Sequence, residues 1–133
     1  MKSIGTYKSL EENILMEEIN GINIAFLSYC YGYNGLENLL TEEERAYMVS
    51  KIDEHKIKDD IERAKSMEAD IITVIIHWGN EYERTPNSYQ MELGRKMVEW
   101  GANIVFGSHP HVIQKSEIIE YEGKNNFIIY SMG

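Results

Sequence analysis

The 133 residues include one cysteine, two prolines and four histidines, and no apolar run approaches the roughly 18 residues that a membrane-spanning helix needs. A lone Cys30 rules out an intrachain disulfide and a thiolate metal cluster, and leaves the compartment open. Basic residues are scarce as well: 13 Lys and Arg stand against 22 Asp and Glu, a formal charge of −9. Such a chain has no basic face with which to displace counterions, so neither a non-specific grip on nucleic acid nor unaided attachment to anionic lipid is expected. The opening MKSIGTYKSLEEN lacks the apolar region of a secretory signal, so the chain reads as soluble as given. Repeats and low-complexity tracts are also missing.

What is present suits one globular domain. Hydrophobic residues make up 43% and charged residues 26%, and this length is enough for a real core. The run NILMEEINGINIAFLSYCYG predicts strands near 14–19 and 22–30 around an Asn20-Gly21 hairpin turn. Its second half is apolar nearly throughout, as a strand covered on both faces would be. A glycine- and acid-rich connection with possible short helix follows. Ile57, Ile61 and Ala64 at helical spacing predict an amphipathic helix over 53–67. ADIITVIIHWG reads as a buried central strand ending in His77. A second helix over 85–101 has Thr85 or Asn87 as cap, Pro86 in the first turn, a Tyr89, Leu93, Met97, Trp100 stripe, and Gly101 as stop. ANIVFGSHPH predicts a third strand, and residues 116–133 a hairpin turning near Gly123 to Asn126. The fold class is therefore α/β, a parallel β-α-β-α-β core with flanking hairpins.

The octapeptide GSHPHVIQ places two imidazoles one residue apart. Pro110 disfavours a helix there and biases His109 toward extended backbone. In an extended segment residues i and i+2 share a side, so His109 and His111 would present their rings together. The alternative is a strand-to-loop turn with solvated histidines. Ligands in α/β sheets gather beyond the carboxyl ends of the strands, and His77 closes the neighbouring strand, so three imidazoles are expected to converge. Neutral imidazoles suit a divalent ion such as manganese, iron or zinc. A two-metal site would also need carboxylates to bridge the ions and balance their charge, and Glu81 in HWGNEY is a candidate at the rim; Asn80, Glu81 and Tyr82 are candidate substrate contacts there, with a solvated loop as the alternative. His55, among charges on the first helix, is read as exposed.

The segments GTYKSLEEN, LSYCYGYNG, YMVSKIDEHKIKDDIERAK, HWGNEY, TPNSYQ, GSHPHVIQ and IIYSMG together resemble the bacterial CapA family, also called PgsA, of poly-γ-glutamate capsule synthesis. That family in turn resembles the calcineurin-like metallophosphoesterases, whose later motifs are a strand-terminal histidine and a Gly-His-x-His pair. The resemblance implies a layered metallophosphoesterase-like fold, with His77, His109 and His111 as metal ligands. Ser108 between Gly107 and His109 is a small departure. The larger one is the lack of an Asn-His motif before His77, which implies that residues 1–133 are one truncated domain carrying a metal half-site.

Two activities follow as expectations. One is metal-dependent phosphoesterase-like hydrolysis; the other is a non-catalytic polymer-binding or export component that uses the same cleft. The implied partners are a phosphoester or anionic polymer and other membrane proteins of capsule synthesis. The implied address is a membrane-anchored, outward-facing one. A dinucleotide-binding reading is disfavoured, because YGYNG after the first parallel strand lacks the Gly-x-Gly-x-x-Gly spacing.

Overall fold

Asn20 and Gly21 take φ values of 53° and 80°, the left-handed pair that a two-residue hairpin turn requires. They join β1 (Leu15–Ile19) to β2 (Ile22–Cys30) in antiparallel register. The computed structural model describes residues 2–9 and 14–133, so residues 10–13, which end the GTYKSLEEN stretch, lie outside it. The connection after β2 holds a short 3-10 helix (Leu36–Leu39) and α1 (Glu42–Met48), which begins in a Thr41–Glu44 capping box. Next come α2 (Glu54–Ser66), β3 (Ile71–His77), α3 (Ser88–Trp100), β4 (Ile104–Ser108), β5 (Ser116–Tyr121) and β6 (Lys124–Ile129). Among the described residues, no helix is long and apolar enough to cross a membrane.

The six strands form one sheet in the order β1-β2-β3-β4-β6-β5. Its four central strands are mutually parallel, and an antiparallel hairpin partner closes each edge. This is the expected parallel core with flanking hairpins. On α2, Ile57, Ile61 and Ala64 are buried as their spacing predicts. α3 is capped by Asn87 rather than Thr85, through reciprocal bonds with Gln90, so Pro86 precedes the helix instead of lying in its first turn. Its buried face is also rotated from the expected stripe. Leu93 and Met97 are inside, but Tyr89 is exposed, and Gln90, Gly94 and Val98 complete the face. Gly94 explains the rotation: a Cβ there would lie 3.3 Å from both Ile128 and Tyr130, so the helix packs closely on the sheet at that point.

The expectation that β2 is covered on both faces holds only in part. Ala25, Leu27 and Tyr29 are buried, whereas the alternating Ile24, Phe26, Ser28 and Cys30 are only partly so. The strand register aligns Leu27 with Val74 and Val74 with Val105, and these residues form one core cluster with Ile57, Ile61, Leu93 and Met97. Both helices therefore sit on the same side. β2, β3 and β4 are laid down in one direction without reversal, and right-handed crossovers then deliver successive helices to the same face.

The last hairpin turns at Glu122–Gly123 (φ 50° and 74°), with Tyr121 paired to Lys124, rather than between Gly123 and Asn126. Asn126 looks like a turn residue but is buried inside β6. Its amide donates to the carbonyls of Ile119 and Lys124 and accepts from Asn103.

Candidate metal centre

Parallel pairing aligns Cys30 with His77 and His77 with Ser108, which brings three strand ends to one rim of the sheet. The chain stays tethered just beyond them. The Tyr31 amide donates to the His77 carbonyl at 3.0 Å, and the Trp78 amide to the Ser108 carbonyl at 3.0 Å. Trp78 turns inward, where its indole N–H donates to the Tyr130 carbonyl at 2.9 Å. This arrangement needs Gly107, because a Cβ there would stand 2.1 Å from the Tyr130 carbonyl oxygen and 2.6 Å from the Trp78 indole nitrogen.

The histidine pair is not extended. His109 has φ 103° and His111 φ 56°, so β4 stops at Ser108 and the His109-Pro110-His111 segment is a tight turn. The proline's preference for an extended neighbour is overridden by tertiary bonds: the Tyr82 amide donates to the Pro110 carbonyl at 2.7 Å, fastening this turn to the loop after β3. Tyr82 also has positive φ, 62°. Three non-glycine residues held in a sparsely populated region within one small volume mark a site where the surroundings dictate the backbone.

The rings converge nonetheless. The centroids of His77 and His109 are 4.6 Å apart, and those of His109 and His111 are 6.0 Å apart. The Glu81 carboxylate, read from sequence as a rim contact, offers a ligand atom together with His109 and His111, all within 4.8 Å of one another. His77 lies outside that trio and joins it through His109, with its Nδ1 3.2 Å from Ser108 Oγ. Burial, followed by electrostatic interaction with His109 and His111, holds the His77 imidazole below its ordinary pKa. It is therefore neutral at physiological pH, the state in which an imidazole ligates.

Tyr82 stacks on His111, with ring centroids 5.9 Å apart. Asn80 is exposed and accepts from the Asn87 side chain at 3.4 Å, and His55 is exposed on α2.

Two imidazoles and a carboxylate are a donor set that first-row divalent ions accept. Ligand bonds of about 2.0–2.2 Å put opposed donors about 4.4 Å apart at most, so small rotamer changes would bring Glu81, His109 and His111 onto one ion.

A buried amide relay, which the sequence reading missed, ties α3 to the loop after β3. Gln90 on α3 donates to Gln114 at 2.9 Å, and Gln114 donates to the Glu83 carbonyl at 2.8 Å. Tyr31 was missed too. Its ring stacks on His77 and stands beside His109. The signal for it was its place one residue past the end of a parallel strand.

This architecture is a layered, metallophosphoesterase-like α/β domain with a histidine and glutamate cluster on the carboxyl rim of its sheet. Residues 1–133 match the family described as bacterial capsule synthesis protein PGA_cap, and the chain belongs to that family. It is 31% identical over 125 residues to the capsule biosynthesis protein CapA of Bacillus anthracis, covering 92% of this chain and 29% of that protein. It is 32% identical over 132 residues to the PGA biosynthesis protein CapA of Bacillus subtilis (strain 168), covering 92% of this chain and 30% of that one. The chain thus spans less than a third of the length of these curated relatives.

Proposed function

We propose that the chain forms the histidine-bearing part of a metal-dependent, phosphoesterase-like hydrolase of capsule biosynthesis, acting on a phosphoester or an anionic polymer. The observation that supports this most directly is the convergence of Glu81, His109 and His111 to within 4.8 Å. One carboxylate against a dication leaves a net positive site, which attracts an anionic substrate. A bound divalent ion supplies Lewis acidity toward such a substrate and raises the acidity of water.

The chain's own residues supply the rest. Glu81, His109 and His111 hold the ion, and His77 adds a neutral imidazole beside His109. Asn80 and Tyr82 face solvent on the same loop, where they contact the substrate. Membrane proteins of capsule synthesis are the proposed partners, and an outward-facing, membrane-tied setting the proposed address.

A second reading, a metal-held anchor for an anionic polymer without turnover, is favoured by the single carboxylate in the cluster, which balances only part of the charge of two ions. Metal analysis after manganese loading tests the centre: about one ion per chain is expected, and its loss in a His109→Ala, His111→Ala double variant. An ion content that the double variant leaves unchanged would remove both readings. Hydrolysis of a generic phosphodiester with manganese, with a full-length relative run beside this chain, separates the two. Turnover abolished by His109→Ala supports the hydrolase; none in either protein supports the anchor.

A further inference from the structure

We infer that Tyr31 is a positioning residue of the candidate metal centre, one that fixes the orientation of the His77 and His109 rings. The inference rests on the metal-centre reading above. Tyr31 is the first residue after β2, and its backbone is anchored by the 3.0 Å bond from its amide to the His77 carbonyl. The phenol ring then lies almost parallel to the His77 imidazole, with an interplanar angle of 11° and centroids 5.8 Å apart. The same ring stands 4.6 Å from that of His109, tilted by 44°. One side chain therefore contacts two imidazoles that are themselves 4.6 Å apart.

Among the described residues, the side-chain hydrogen bond made by these two rings is that of His77. His77 Nδ1 lies 3.2 Å from Ser108 Oγ, a long bond that by itself permits rotation about its axis. His109 is carried on a strained turn. An aromatic ring beside each imidazole restricts both, because stacked and tilted arrangements have defined geometric optima. Groups that orient a ligand without touching the ion set metal affinity by roughly 10–100-fold.

Tyr31 is also 47% exposed. The chain does not rely on it for core volume, so its removal tests positioning rather than folding. The contacts are ring to ring, so phenylalanine should replace tyrosine without loss.

The experiment uses the 133-residue chain as wild type, Tyr31→Ala and Tyr31→Phe, with two readouts. Proton NMR of the imidazole C–H groups in zinc-free protein reports ring placement through the Overhauser contact between the His77 and His109 rings, which does not depend on the ring current lost with Tyr31. Zinc affinity by chelator competition reports the consequence. The expected result is that this contact weakens in Tyr31→Ala, while zinc binding weakens roughly tenfold. Tyr31→Phe should restore both. An unchanged His77–His109 contact in Tyr31→Ala, or unchanged zinc affinity beside a wild type that binds, would overturn the inference. Failure of Tyr31→Phe to restore affinity would overturn it as well, by assigning the effect to the hydroxyl. If the wild type takes up no zinc, the metal-centre reading falls, and the role of Tyr31 is decided by the His77–His109 contact alone.

Discussion

Gln90 and Gln114 are both buried, and the amide of the first donates to that of the second at 2.9 Å. Gln114 passes the connection to the Glu83 carbonyl at 2.8 Å, so a helix, the loop that carries Glu81 and the turn that carries the histidines are held by one pair of side chains. Gln114→Leu would leave the Glu83 carbonyl and the Gln90 amide without their partner. A loss of about 1–3 kcal/mol of stability is expected, with weaker manganese binding at temperatures where the variant is still folded. Urea denaturation and a binding titration measure the two effects separately.

Glu81 and His77 should differ in their effect on metal binding. Glu81 shares the 4.8 Å trio with His109 and His111, whereas His77 does not. Glu81→Gln is expected to weaken manganese binding by more than the roughly 10–100-fold that loss of an outer contact produces, and His77→Ala by an amount within that range. Glu81 is exposed, so its replacement should leave the unfolding midpoint unchanged. Calorimetric titration of the two variants would decide the ranking.

Gly107 tolerates no side chain. The added Cβ of Gly107→Ala would lie 2.1 Å from a backbone carbonyl oxygen, and backbone cannot swing aside as a flexible side chain does. Overpacking of this kind is expected to destabilise by about 3 kcal/mol or more. Trp78 lies directly against the new atom, so tryptophan fluorescence during denaturation should report both the loss and a disturbed native environment.

Tyr29 and Asp60 form a buried pair that links the sheet to α2, the phenol donating to the carboxylate at 2.9 Å. Lys56 also bonds that carboxylate, at 3.0 Å. Burial, then the Asp60 charge, push the Tyr29 hydroxyl far above its ordinary pKa, so it stays protonated and remains a donor. Asp60→Ala should destabilise by about 1.5–3 kcal/mol, the range for charged hydrogen bonds. Adding Tyr29→Phe should then have little further effect, because the two groups share one interaction. A double-mutant cycle in urea checks the coupling.

Glu117 makes stability depend on pH at the acid end. A hydrogen bond from Lys115, with the nearby Arg95 guanidinium, lowers its pKa below the usual value of 4.5. A carboxylate with a lowered folded pKa contributes its stabilisation in full above the unfolded value, and loses it as pH falls through the folded one. Wild type should therefore lose more stability than Glu117→Gln as pH is taken below about 4.5. Parallel urea midpoints across that range would show the divergence, and identical acid limbs would refute it.

Much of this molecule was legible from local rules. The Asn20-Gly21 turn, the inward face of α2 and the alternation of strands with helices follow from backbone preferences and hydrophobic period, which act over a few residues at a time. The arrival of His77 beside the second histidine motif also followed, because parallel strands place their carboxyl ends on a common rim.

The failures share a different cause. His109 and His111 adopt positive φ against the expectation set by Pro110, since the bond from the Tyr82 amide to the Pro110 carbonyl comes from a segment almost thirty residues earlier. Asn126 looks like a turn residue until a buried strand satisfies its amide. β2 looks doubly covered until the strand order sends both helices to one side.

Composition and periodicity thus determined the elements, their order and the rim on which the chemistry-bearing residues gather, because each depends on a segment's own backbone and apolar face. Only tertiary structure decided that Glu81 joins the two histidines and that Tyr31 faces two imidazoles. Those contacts depend on the relative placement of loops from different strands, and no spacing along a single segment encodes it.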